Sequence, residues 1–156
     1  MRLRRAAADE CAALNALILR SKAHWGYDAA FMEACRAELA LSPRDINQGN
    51  VLVMEDGGTL LGMADYSVCG AEGEIDKLFV EPSAMGRGVG KALLSRALAD
   101  LAQAGATHVG LDADPEAAPF YERLGFSRVG EVPSGSIEGR FLPRLSLAIA
   151  TPADDP

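Results

Sequence analysis

Cysteine and histidine are scarce in this 156-residue chain, with three of the first, Cys11, Cys35 and Cys69, and two of the second, His24 and His108. An odd number of widely spaced cysteines makes a disulfide framework a poor expectation, and no paired-ligand spacing suggests zinc or any other metal. Reducing, cytoplasmic surroundings are the natural reading. Long apolar runs are missing too. The start, "MRLRRAAADECAALNALILRSK", is basic and then apolar like an export signal, but Asp9, Glu10 and Asn15 interrupt it, so neither a signal nor a membrane segment is expected. Positive charge is also in deficit, 15 basic against 22 acidic residues for a formal charge of -7. Phosphate backbones need clustered Lys and Arg, so nucleic acid is not an expected partner.

What is present suits one folded domain. An apolar share of 49% with 24% charged residues is ordinary for a globular chain of this length, which can bury a core without staples. The expectation is a single domain over residues 1–150 and a loose tail, "TPADDP", over 151–156.

Periodicity orders the elements. Residues 2–6 read as a strand. Asp9 is a plausible N-cap for a helix to about Arg20, with Leu14, Leu17 and Ile18 as its stripe. A second helix is expected from near Asp28, carrying Phe31, Met32, Cys35 and Leu39, with Pro43 stopping the region. Asp56-Gly57-Gly58 marks a hairpin between two β-rich runs. "EGEIDKLFVEP" is a long strand, and "GVGKALLSRALADLAQAG" an amphipathic helix closed by Gly105. "THVGLDA" is a strand, "PEAAPFYERLG" a short helix opened by proline and closed by Gly125, and "FSRVGEV" and "RLSLAIA" the last two strands. The order βααβββαβαββ predicts an α/β (α+β) fold with a mixed central sheet flanked by helices, including a parallel crossover from strand 73–81 to strand 107–113.

Chemistry concentrates in "VEPSAMGRGVGKALL", residues 80–94, where a strand hands over to a helix. Free N–H groups at a helix start, backed by the helix dipole, hold phosphate oxygens. Gly86, Gly88 and Gly90 remove side chains from the path and permit positive φ, while Arg87 and Lys91 add charge, the alternative being a glycine-rich turn that binds nothing. A P-loop would need glycine where Met85 stands and Ser or Thr where Ala92 stands, and a Rossmann fingerprint needs GxGxxG rather than this GxGxG.

"LFVEPSAMGRGVGKALL" resembles the acyl-CoA-binding segment of the GCN5-related N-acetyltransferase (GNAT) superfamily, and "DPEAAPFYERLGF", residues 114–126, resembles its second signature. The likeness covers roughly residues 2–131. It implies a GNAT-like fold and transfer of an acetyl group from acetyl-CoA to a primary amine, on a small molecule or a peptide, by direct attack. Dimers are common in the family, so a homodimer is compatible. Met85 stands where Gln or Arg is usual, and Asp114 where Asn is common. These departures keep open a non-catalytic acyl-CoA sensor or structural module.

The resemblance also implies roles. The cofactor would lie along Leu78, Phe79 and Val80, where a backbone N–H meets the thioester oxygen, with its pyrophosphate on Met85, Gly86, Arg87, Gly88, Val89, Gly90 and Lys91 and a further contact at Asp114. Tyr121 would be the acid that protonates the departing thiolate, or else a packing aromatic beside Phe120. Glu74 and Asp76 share a strand face, where the family often puts its base, and either is otherwise a solvated charge. His24, Trp25 and Tyr27 lie where the family builds its acceptor wall, although Trp25 also suits a core. Cys69 is read as a buried structural thiol rather than a nucleophile. Segment 132–143 is a long connection that either folds over the acceptor or stays a surface loop.

Overall fold

A helix start needs its first amides satisfied, and the chain does this differently at each helix. In the computed structural model, which describes residues 1–150, strand β1 (Arg2–Arg5) leads to a 3-10 turn at Ala8–Glu10 and then α1 (Cys11–Ala23). Asp9 is therefore not the cap. Glu10 is the residue that fixes the entry: its carboxylate accepts the Ala7 N–H at 2.8 Å and two bonds from Arg4 at 2.8 and 2.9 Å. The Arg4 bonds hold it below the usual carboxylate range. Helix α2 (Ala29–Leu39) starts as expected, with Asp28 accepting the Phe31 N–H at 2.8 Å.

Pro43 opens a helix rather than ending one. α3 (Pro43–Asn47) has proline in its first turn, where the missing N–H is no loss. Ser42 accepts the Asp45 N–H at 3.2 Å and Asp45 accepts the Ser42 N–H at 2.8 Å, a reciprocal capping box. This short helix is an addition to the expected order.

The remaining elements are β2 (Val51–Asp56), β3 (Thr59–Cys69), β4 (Glu72–Val80), a 3-10 turn at Pro82–Ala84, α4 (Val89–Gln103), β5 (His108–Asp112), α5 (Ala118–Arg123), β6 (Ser127–Pro133) and β7 (Phe141–Ala148). Gly57 and Gly58, at φ 57° and 89°, make the β2–β3 turn that Asp-Gly-Gly announces. α5 begins at Ala118, with Pro119 rather than Pro115 in its first turn, and Gly125 follows it at φ 102°. β7 begins at Phe141, ahead of the expected start at Arg144, which shortens the preceding loop. The seven strands form one mixed sheet in the order β1-β2-β3-β4-β5-β7-β6, with β4 and β5 parallel. Among the described residues no helix is long and apolar enough to cross a membrane. The expected tail at 151–156 lies outside the described residues.

Two compact units divide the chain, Met1–Asp65 with Lys77–Ala97, and Tyr66–Asp76 with the chain from Leu98 onward. The first has a core of Leu14, Leu17, Ile18, Leu41, Ile46, Val51, Val53 and Met63, with Phe79 packed against it. The second buries Leu101, Val109, Leu111, Tyr121, Phe126 and Leu145.

Candidate functional site

In the first unit, β4 ends at Val80 and the chain turns through Pro82–Ala84 into Met85, which is extended at φ −62°, ψ 143°. Gly86 and Gly88 follow at φ 82° and 81°. An added Cβ at either would meet nothing within 4 Å, so these positions need glycine for backbone conformation, and the space above the turn is open. Gly90 differs from the expectation: it is the second residue of α4 and lacks the positive φ of the other two. The first bond into α4 runs from the Ala92 N–H to the Gly88 carbonyl at 3.0 Å. The amides of Val89, Gly90 and Lys91 therefore precede the first intrahelical donor and suit an anion.

Arg87 reaches Asp56 at 3.7 Å with both side chains about half exposed. Such a pair is worth only ~0–1 kcal/mol, so Arg87 can turn to a phosphate at small cost. Sequence reasoning missed Gly62 of β3. A Cβ there would lie 2.9 Å from Val89 Cγ1, 3.0 Å from Leu93 Cδ1 and 3.0 Å from the Phe79 carbonyl oxygen. Its bare backbone lets the first turns of α4 seat beside β4, and a glycine inside a strand pattern is the signal for such an approach.

Gly88→Val tests the turn. A β-branched side chain at φ 81° is strained by ~1–3 kcal/mol and covers the amides. Calorimetry on the folded variant should show acetyl-CoA affinity down at least about tenfold; unchanged affinity would remove the turn from the cofactor site.

Also in the first unit, His24, Trp25 and Tyr27 follow α1. His24 and Trp25 meet edge to face at 5.5 Å, and Trp25 is 39% exposed, which takes it out of the core. Tyr27 stacks on Phe31 at 4.0 Å, with Lys22 Nζ 5.2 Å from its ring centre.

In the second unit, Gly73 and Ile75 of β4 point into the core while Glu74 is half-buried and Asp76 exposed, as strand alternation requires. Glu74 pairs in register with Gly110 of β5, and Asp112 of β5 with Arg144 of β7. Arg144 grips both Glu74 oxygens, at 2.6 and 2.8 Å, and reaches Asp112 Oδ1 at 3.0 Å. Its guanidinium is raised above its ordinary value, chiefly by the Glu74 hydrogen bonds. Neither Asp112 nor Arg144 was singled out from sequence, although period-two alternation places each on a definite strand face.

Asp114 builds the β5–α5 loop. Its Oδ1 accepts the Glu116 N–H at 2.9 Å, its carbonyl accepts from Ala117 and Ala118 at 2.8 and 3.0 Å, and Arg140 lies 3.6 Å from its carboxylate. The β6–β7 loop that supplies Arg140 closes on itself, with the Ser134 N–H donating to the Arg140 carbonyl at 2.7 Å. Cys69, at the end of β3, is exposed, so the expected buried structural thiol is not there; Cys35 is the buried one.

Tyr121 is 7% exposed, set edge to face against Phe120 at 5.1 Å and Phe126 at 5.7 Å. No hydrogen bond to its hydroxyl is found among the described residues, and among them no side-chain oxygen is sealed away without a partner. The hydroxyl is thus the open end of a buried ring. Burial raises its pKa above the usual tyrosine value, so the hydroxyl is protonated at neutral pH. The native state also holds this proton where the unfolded chain, at about pH 10, releases it. Stability should therefore fall as pH rises above about 10, by at most ~1.4 kcal/mol per unit from this group. Urea midpoints from neutral pH upward should diverge between wild type and Tyr121→Phe only on that alkaline side; parallel curves throughout would contradict it.

Residues 47–128, more than half of the chain, match the acetyltransferase (GNAT) domain family. The N-alpha-acetyltransferase RimI of Mycobacterium tuberculosis is 38% identical over 133 residues, covering 82% of this chain and 77% of the relative. Two solved structures are similar in fold. A GCN5-related N-acetyltransferase from Rhodopseudomonas palustris matches with TM-score 0.78 and 23% identity over 95% of both chains. The PaiA N-acetyltransferase from Thermoplasma acidophilum, in complex with coenzyme A, matches with TM-score 0.74 and 17% identity over 95% of this chain and 98% of the other. By these likenesses the chain belongs to the GCN5-related N-acetyltransferase family and is an acetyl-CoA-dependent N-acetyltransferase.

Proposed function

We propose that the chain acetylates the free α-amine at a polypeptide N-terminus. The observation that carries the acceptor class is the 38% identity over 133 residues to an N-alpha-acetyltransferase. Exposed Trp25 supports it, offering an apolar wall to the first side chain of a peptide. Three free cysteines suit a cytoplasmic location, where such acceptors are made.

In this reading the turn at 85–91 takes the pyrophosphate, and a backbone N–H of Leu78–Val80 donates to the thioester oxygen. That donor strengthens as the oxygen gains charge, an effect typically worth ~3 kcal/mol. The neutral amine attacks the acetyl carbon, the C–S bond breaks and the electron pair leaves on sulfur. Tyr121 then donates its proton to the thiolate. Of the two β4 carboxylates, Glu74 takes the proton from the amine, because two hydrogen bonds fix its orientation whereas Asp76 is exposed. Each Glu74 oxygen keeps a second lone pair for this.

An acceptor panel tests the reading by release of free CoA. Peptides with a free N-terminus should turn over while the same peptides with a blocked N-terminus and an internal lysine should not. Turnover on polyamines or aminoglycosides alone would overturn the acceptor class.

A further inference from the structure

A carboxylate that must receive a proton has to be held, and the hold on Glu74 is unusual in what it demands of the fold. Arg144 stands on β7, one strand beyond the neighbour of β4, and its side chain crosses β5 to reach Glu74. The crossing point is Gly110, which is paired with Glu74 on one side and Ser146 on the other. A Cβ there would fall on Nη2 of Arg144 and lie 2.9 Å from its Cζ. Any side chain there would force the guanidinium, the far end of a flexible side chain, to shift from this path.

For folding alone this arrangement is a poor choice. Glycine inside a strand weakens it, and a β-branched residue at 110 would serve the sheet better. The ion pair returns little, since the Arg144 and Glu74 side chains are each about a third exposed. What it does supply is geometry: two parallel N–H···O bonds fix the plane and rotamer of the Glu74 carboxyl, which a single contact would not. A third bond to Asp112 fixes the guanidinium in turn.

We propose that Arg144 is a positioning residue for acetyl transfer, reaching across side-chain-free Gly110 to hold the Glu74 carboxylate in the one orientation that accepts the proton of the attacking amine. The proposal rests on Glu74 being that acceptor. Gly110 is part of the device, because it is the gap through which the guanidinium passes.

The experiment is a double-mutant cycle, with kcat and KM measured at saturating acetyl-CoA on the amine that the acceptor panel turns over fastest. Arg144→Met removes the clamp, Arg144→Lys keeps the charge but not the fork, and Gly110→Ala displaces the fork while leaving every ionisable group in place. Each should lower kcat by ~10–10²-fold with acceptor KM little changed, Arg144→Lys least, because misplacing a reacting group by about an ångström costs that much. Thermal melts and acetyl-CoA affinity show which variants are folded. Combined with Glu74→Gln, neither Arg144→Met nor Gly110→Ala should lower kcat further, since all act through one carboxylate. Wild-type kcat in folded Arg144→Met and Gly110→Ala, or losses that multiply fully with that of Glu74→Gln, would overturn the positioning role. Wild-type kcat in Glu74→Gln itself would instead overturn the choice of proton acceptor.

Discussion

Tyr121→Phe is expected to lower saturated turnover by ~10²–10⁴-fold, the usual worth of a general acid, while acetyl-CoA affinity stays near that of wild type. The substitution keeps the ring that packs against Phe120 and Phe126 and deletes only the hydroxyl. That hydroxyl has no hydrogen-bond partner among the described residues, so its removal leaves no orphaned group and the fold should tolerate it. The hydroxyl carries its proton throughout the neutral range, as tyrosine does. Steady-state CoA release read beside calorimetric affinity separates the outcomes. Equal turnover in the two proteins would make Tyr121 a packing residue, and weakened affinity with normal saturated turnover would make it a cofactor contact.

Glu74→Gln should be the other large loss, ~10²–10⁴-fold in kcat, because the amide cannot take a proton from the amine. The variant keeps the length of the side chain and one acceptor oxygen for Arg144, so some of the clamp survives. Asp76→Asn, two residues along the same face, should leave most of the activity. The pair is informative in either direction: activity lost in Asp76→Asn and retained in Glu74→Gln would exchange their roles, and activity retained in both would move the base to another group, His24 first.

The sequence disclosed the parts of this enzyme that depend on local signals. Asp56-Gly57-Gly58 forms a two-glycine turn because both positions need positive φ, and the apolar stripe of α4 faces the core because its period is helical. Gly86 and Gly88 were legible for the same reason. Two helix starts depend on more than one residue: Pro43 stands inside a Ser42–Asp45 capping box that announces a start, and Glu10, not Asp9, anchors α1 through Arg4. Tyr121 could be named only by its resemblance to a family signature, since spacing gives no depth of burial.

Arg144 was out of reach for a different reason. It meets Glu74 across 70 positions of sequence, and only the insertion of β7 between β5 and β6 brings them to one face. Strand alternation says which side of a strand a residue takes, but not which strand lies next to it. Gly110, a position without a side chain inside β5, has its explanation in that neighbour.

Acetyl transfer to a free polypeptide α-amine can be located by incubating the purified chain and acetyl-CoA with a peptide that carries both a free N-terminus and an internal lysine, then placing any added acetyl group by fragment mass spectrometry. One acetyl group on the N-terminal nitrogen, formed in step with free CoA and lost in Tyr121→Phe, is the predicted result. Acetylation of the lysine alone, or an unmodified peptide beside rapid transfer to a small polyamine, would contradict it.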